Sequence, residues 1–477
     1  MLGQTLKPIV GWRYIATRDE FWTQIIKDSE AKDYLGMVNQ AMALRSQAKE
    51  DAERNEANLA LAKGLRGMGF LQSAFFLFTD LVDLSPGSFA AFEALRELSG
   101  LVPEGSFDEE LLSRAINKNS WSELPDSVMS MVGYYLATDL AARGMKSWLL
   151  EPAKAVRSGT YWSQRMDFYR AIELVGASKP DDASAAFAAV EASPVSGQKL
   201  QRAARLHRAR LLFEKAEYEE AEKLYSTFNY AGRDGGQVLF ERAWNQYYLH
   251  DYSLTMGLLE AIKSPYFLTS IEPEQFVLAS VVLRDLCHYP AIKAINREFF
   301  ATFGETIEWI RQNKDLEKSS VLMSMVLVRD PFRSLADTVD STQKERARLV
   351  AKFGLGSQLG FLIDRSERVA KEIKGRMSRR IDARLRNESG RLLETADQMK
   401  LLDYISGLDE NRIQQMFESR QYQAKAADTL RFNKLYWPQP SISSGSPGKR
   451  IRKEFWFDEL PNLRMLVADR CEGAKKR

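Results

Sequence analysis

The chain has 477 residues, 45% of them hydrophobic and 27% charged, with a formal net charge of +3. These are the proportions of a folded protein, and so small a net charge gives no argument for nucleic acid. No stretch approaches the roughly 18 consecutive apolar residues of a membrane-spanning helix, and two cysteines, Cys287 and Cys471, do not make a disulfide framework.

The opening residues, MLGQTLKPIVGWRYIATRDEF, show neither the apolar core nor the small-residue cleavage site of a secretory signal. Two readings are open: a cytosolic protein, or one whose leader is not part of this sequence. Residues 19–50 read as one or two helices with Phe21, Trp22, Ile25 and Ile26 on one apolar face. The segment 1–54 is expected to cap the helices after it.

From 55 to 305 the chain repeats itself. The register is clearest where RARLLFEKAEY (208–218) is placed over RAWNQYYLHDY (242–252): Arg208 meets Arg242, Ala209 meets Ala243 and Tyr218 meets Tyr252, each 34 residues on. In chain order the same template fits NLALAKGLRGMGFLQSAFFLFTDLVDLSP (58–86), through Leu61, Ala62, Leu65, Ala74, Phe78, Leu81 and Pro86. A degenerate copy lies at 88–117. GYYLATDLAARGMKSWLLEPA (133–153) comes next, then 167–194 with Ala171, Ala183 and Phe187. AEYEEAEKLYSTF (216–228) supplies Tyr218, Ala221 and Tyr225, and PEQFVLASVVLRDLCHYPAIKAI (273–295) is a looser copy with Tyr289 in its turn. The total is about seven units.

That pattern resembles the tetratricopeptide repeat (TPR), a helix–turn–helix unit of roughly 34 residues. Small residues such as Ala209, Ala243 and Ala221 let paired helices approach, and an aromatic ring fills the space under the turn. Such a hairpin cannot bury its apolar face alone, so it stacks on its neighbour. The resemblance implies an all-α fold: a TPR α-solenoid, then long amphipathic, coiled-coil-like helices, then a short non-helical tail.

Beyond 306 the pattern changes. Leu362, Val369, Ile373, Met377, Ile381, Leu385, Leu392, Met399 and Leu402 recur at steps that indicate a long amphipathic helix. The narrow stripe drifts from a strict heptad, leaving a two-stranded coiled coil open. The expected organisation is therefore capping helices at 1–54, the array at 55–305 and long helices at 306–435. A Pro/Ser/Gly linker at 436–453 and an aromatic-rich tail at 454–477 complete the chain. Phe455, Trp456, Phe457 and Leu460 need an apolar surface, which the last repeats offer.

Catalytic chemistry is hard to find. GLGSQLG (354–360) has the wrong spacing for a dinucleotide loop, and GSPGK (445–449) lacks the spacing of a phosphate loop. No zinc-protease, nucleophile-elbow, paired-cysteine or calcium-loop motif occurs, and three histidines, His207, His250 and His288, leave little room for a histidine metal site. A non-enzyme without metal, cofactor or small-molecule substrate is expected. Residues 365–391 carry Arg365, Arg368, Lys371, Lys374, Arg376, Arg379, Arg380, Arg384, Arg386 and Arg391. A solvated face is the default reading; an acidic or envelope-polymer partner comes next, and nucleic acid is the alternative.

Function in a solenoid sits on the concave face lined by the first helix of each pair. The TPR resemblance puts Phe168, Ile172, Arg210, Phe213, Phe240, Trp244, Tyr247, Val281 and Arg284 at its exposed positions. Trp, Tyr and Arg are the residues that dominate protein recognition, although the same rings could pack internally. The order of elements in 200–471, with YWP (436–438) and EFWFDEL before Cys471, is similar to cell-envelope TPR proteins of the adventurous-gliding-motility type. This resemblance implies a scaffold binding other proteins in the periplasm or envelope; the alternative is a cytosolic regulator using the basic helix. The expected docking of the tail would bring Cys471 to Cys287. In an oxidising compartment a bond there would close a loop of roughly 180 residues.

Overall fold

The structure is a computed structural model that describes residues 19–121, 124–145, 151–231, 234–267, 272–355, 357–418 and 460–471. Among them, helices and short turns account for the fold, and no strand forms. The linker 436–453, residues 1–18 and Phe455–Phe457 lie outside the described residues.

In chain order the helices are α1 (Asp19–Glu30), α2 (Tyr34–Gln47), α3 (Asp51–Gly67), α4 (Leu71–Leu84), α5 (Phe89–Leu101) and α6 (Glu109–Asn117). Next come α7 (Asp126–Ala142), α8 (Glu151–Lys154), α9 (Tyr161–Gly176), α10 (Pro180–Ala192), α11 (Gly197–Glu214), α12 (Tyr218–Tyr225) and α13 (Gly235–Tyr248). The last are α14 (Tyr252–Ile262), α15 (Glu274–Asp285), α16 (Tyr289–Arg311), α17 (Ser320–Leu327), α18 (Phe332–Phe353) and α19 (Gly360–Glu418).

One turn recurs between them. Gly69, Ser178, Ala216, His250 and Cys287 all have φ between 57° and 78°, the left-handed conformation that ends a helix. In each case the next residue donates its N–H to the carbonyl five positions back: Phe70 to Leu65, Lys179 to Leu174, Glu217 to Leu212, Asp251 to Gln246 and His288 to Leu283, at 2.7–3.0 Å. Lys32 and Gly144 make the same turn. From Ser178 the spacing to Ala216 is 38 residues, then 34 to His250 and 37 to Cys287. The paired helices touch through small residues, and Ala209, Ala221 and Ala243 are wholly buried.

The chain divides into two compact units, residues 1–205 with 334–377, and residues 206–333 with 378–477. The core of the first contains Phe75, Phe76, Phe78, Leu95, Val132 and Trp162. Leu349, Leu362, Val369 and Ile373 of α18 and α19 join it, so this half of the apolar stripe is buried in the core of the same unit. Glu345 caps α4 from outside: its carboxylate accepts from the backbone N–H of Gln72 (2.8 Å) and Ser73 (2.6 Å), donors left without helical partners at a helix start. Burial raises the Glu345 pKa, and those hydrogen bonds oppose the shift.

The core of the second unit runs through α13–α16: Leu239, Ala243, Leu258, Leu259, Leu278, Leu283 and Ile292. Ile381, Leu385, Leu392 and Met399 of α19 are buried too, while Leu402, like Met377 in the first unit, is half-buried. An ionic network ties α19 to the start of α15. Arg329 lies 2.7 Å from both oxygens of the buried Glu272, and Arg391 reaches Glu274 at 3.1 Å and Glu388 at 2.9 Å. Glu388 is fully buried, so removing an arginine there would strand a charge in low dielectric.

Candidate interaction surface of the second unit

The surface is built on α13, whose sequence places ring after ring on successive turns. Trp244 packs edge-on to Tyr247 (centroids 5.9 Å apart) and lies nearly parallel to Tyr248 at 6.3 Å. Tyr248 stacks flat on Tyr218 (4.8 Å, 8°), and Phe213 stands edge-on to both. Tyr248 remains 43% exposed. Five rings from α11, α12 and α13 thus form a partly open apolar cluster beside the turns at Ala216 and His250. Around it the polar groups are paired. Arg210 grips Glu241 with two nitrogens, at 2.9 and 2.7 Å, and Tyr247 donates to Asp285 at 2.9 Å. Burial raises the Tyr247 hydroxyl pKa, and its bond to Asp285 adds to the shift.

The residues expected on an open groove meet different fates. Ile172 is exposed at 38%, and Phe168 is half-buried with its ring edge-on to Phe187. Phe213, Trp244 and Tyr247 are half-buried, as is Val281. Phe240 corrects the expectation: only 6% exposed, it belongs to the core, because its turn of α13 faces inward. Arg284 is exposed, but its Nε donates to Asp409 of α19 at 3.2 Å. Lys293 does the same to Glu410 at 2.8 Å, so the chain's own helix meets these cations.

The basic stretch also departs from a wholly solvated face. Arg365 pairs with Asp80 and Arg376 with Asp108, at 2.7 and 2.6 Å, and Arg376 is buried. Arg384 and Arg391 turn to Glu388. Arg368, Lys371, Lys374, Arg379, Arg380 and Arg386 are exposed.

Residues 460–471 lie against the turns of the α13–α16 pairs. Leu460, Leu463 and Met465 enter the core of the second unit. Backbone bonds run from Met465 to Ser253 and from Arg470 to Leu286, and Arg242 donates to the Pro461 carbonyl at 2.8 Å. Arg464 binds Asp251 through two 2.8 Å contacts. Cys287 and Cys471 are joined as a disulfide, their Cα atoms 5.5 Å apart. A polar cleft of about 300 Å³ is left between tail and helices, lined in part by Glu222, Arg242, Asp251 and Arg464. Both of its arginines pair with its own carboxylates, Arg242 with Glu222 and Arg464 with Asp251.

Sequence reasoning missed Tyr248 as a neighbour of Trp244 and the stacking of Tyr218 on Tyr248, and it missed Gly257. The first two are consequences of the 34-residue register, which brings the start of one second helix beside the end of the next first helix. Gly257 had a signal of its own: a glycine inside an apolar helix usually has a packing reason. Here the reason is the tail, whose Leu463 carbonyl would lie 1.7 Å from any Cβ at that position.

His288 sits under the tail, 2% exposed, with Nε2 2.6 Å from the Ala468 carbonyl and no partner for Nδ1. Burial lowers its pKa, and the bond to Ala468 partly opposes this. With the folded value below the unfolded one, its contribution is complete above the ordinary histidine value of about 6.5 and lost as pH falls toward the folded value. We expect wild type to lose more thermal stability between neutral and mildly acidic pH than His288→Gln. Parallel pH profiles would remove the histidine from that account.

No protein-family model matches the chain, and no curated protein matches it either.

Proposed function

We propose that this protein is a non-enzymatic scaffold, a TPR-type array that binds other proteins through the aromatic surface of its second unit. The observation that carries the reading is the recurring left-handed turn, spaced 34 to 38 residues from Ser178 to Cys287. Repetition of one hairpin is how solenoids build extended binding surfaces. The partly open rings of Trp244, Tyr247 and Tyr248, with Arg210 bound to Glu241 of the same helix, add the composition of a recognition hot spot. The Cys287–Cys471 bond supports an oxidising compartment, the cell envelope of the sequence resemblance, because such bonds are rare where thiols are kept reduced. A complex of the gliding-motility type is the assembly to which that resemblance points.

The alternative, a cytosolic regulator reading nucleic acid or an acidic partner through 365–391, has less support. Arg365, Arg376, Arg384 and Arg391 already carry carboxylate partners. Strongly salt-dependent binding to DNA or RNA would favour it.

Affinity capture with the tagged full chain, from envelope and cytosolic fractions separately, tests the proposal. Trp244→Ala is expected to reduce partner capture about tenfold or more, the loss typical of a hot-spot ring, with helicity unchanged. Arg210→Ala should act in the same direction and more weakly, since Glu241 already holds the guanidinium. Loss of fold in Trp244→Ala would make the ring a core residue instead.

A further inference from the structure

The polar cleft of the second unit, about 300 Å³, is at the small end of the range for ligand sites. Three helices and the tail wall it: Glu222 comes from α12, Arg242 and Gln246 from α13, Asp251 from the N-cap of α14, and Asn462 and Arg464 from the tail. Gln246 is only 3% exposed, yet its carboxamide bonds none of the described residues. A buried amide carries both a donor and an acceptor, and native proteins seldom leave such groups unmet. Asn462 adds a second carboxamide without a described partner, this one exposed. One cleft thus gathers two groups that each call for a donor and an acceptor from outside the chain.

We propose that the cleft is a binding site for a neutral sugar ring. Charge argues against ionic ligands. Arg242 holds Glu222 through Nε and Nη2, and Arg464 holds Asp251 through both terminal nitrogens, so the cations of the lining are matched by its anions. A phosphate or carboxylate would have to displace Glu222 or Asp251, and a metal ion or an ammonium group would have to displace an arginine. The paired groups can still hydrogen-bond. Glu222 Oε2 and Asp251 Oδ2 each accept from a single arginine, and the Arg464 guanidinium keeps N–H groups that Asp251 does not take. With the two carboxamides, the lining offers donors and acceptors side by side. A sugar hydroxyl donates and accepts at once, which is the chemistry such a lining matches. Among the described lining residues Leu254 alone is apolar, enough to meet one carbon face of a sugar ring but not the side chains of a peptide. The site stands or falls independently of the proposed scaffold function.

Saturation-transfer NMR on the full, disulfide-bonded chain tests it, with glucose, N-acetylglucosamine and, as a peptide-group probe, N-acetylalanine methylamide. One or both sugars are expected to bind at millimolar concentration, and titration then gives Kd. Gln246→Leu should weaken that binding about tenfold while melting no lower than wild type, because the amide it removes has no partner in the chain. Asn462→Ala, at an exposed position, should weaken it about threefold and decides the matter if Gln246→Leu fails to fold. Neither sugar binding, or a sugar that both variants bind as wild type does, overturns the site. Saturation of the peptide-group probe alone overturns the sugar.

Discussion

Cys471→Ser is expected to lower the stability of the second unit by up to about 5 kcal/mol, the chain-entropy value for a cross-link this long. The bonded residues are 184 positions apart, and holding them together removes many conformations from the unfolded chain. In the folded state the geometry adds support: the tail's backbone bonds to Ser253 and Leu286 and its buried Leu460 and Met465 bring Cys471 to the turn at Cys287. Denaturant titrations of wild type and variant, each with and without reductant, measure the effect. Reductant should bring wild type down to the variant and leave the variant unchanged. Equal stability of the oxidised wild type and the variant would mean that tail contacts alone hold the segment. The same bond bears on location, since envelope extracts should contain the oxidised form if the protein works there.

Gly257→Ala should cost roughly 3 kcal/mol, although the substitution is favourable for an isolated helix by about 1 kcal/mol. The opposing term comes from the tail. An ideal Cβ on Gly257 would lie 1.7 Å from the Leu463 carbonyl oxygen, 2.4 Å from its carbon and 2.9 Å from Arg464 Cα. All three are backbone atoms that cannot rotate aside, so the tail must lift. Lifting uncovers Leu460, Leu463 and Met465, now 2–7% exposed, and each such side chain is worth about 1.5–3 kcal/mol when buried. Limited proteolysis in 460–471, read alongside thermal melting, separates the outcomes. A Gly257→Ala protein that melts higher than wild type with a protected tail would show that helix propensity wins and that α14 and the tail are not in close contact.

The helices were legible in the sequence because their cause is local. Alternating steps of three and four apolar residues place one face toward a core wherever that core lies, and this holds from Leu61 to Met399. The turns were legible for the same reason: the 34-residue offset of Ala209 and Ala243 fixes where these hairpins reverse, and Ala216 and His250, also 34 residues apart, both adopt the left-handed conformation there. Less legible was which exposed-looking position would stay exposed. Phe240 and Trp244 stand one helical turn apart on α13, yet only the first enters the core.

The sequence by itself determined an all-helical chain with a repeating hairpin and marked two cysteines as a pair worth bringing together. Only the tertiary structure decided what covers each face. Glu345 reaches the start of α4 across more than 270 residues, Asp409 meets Arg284 across 125, and the basic stretch spends four of its arginines on carboxylates. Periodicity reports which side chains share a face of one helix, because that depends on neighbours within a turn or two. It carries no information about the distant element that arrives there, and burial, ion pairing and the Cys287–Cys471 bond all depend on that element.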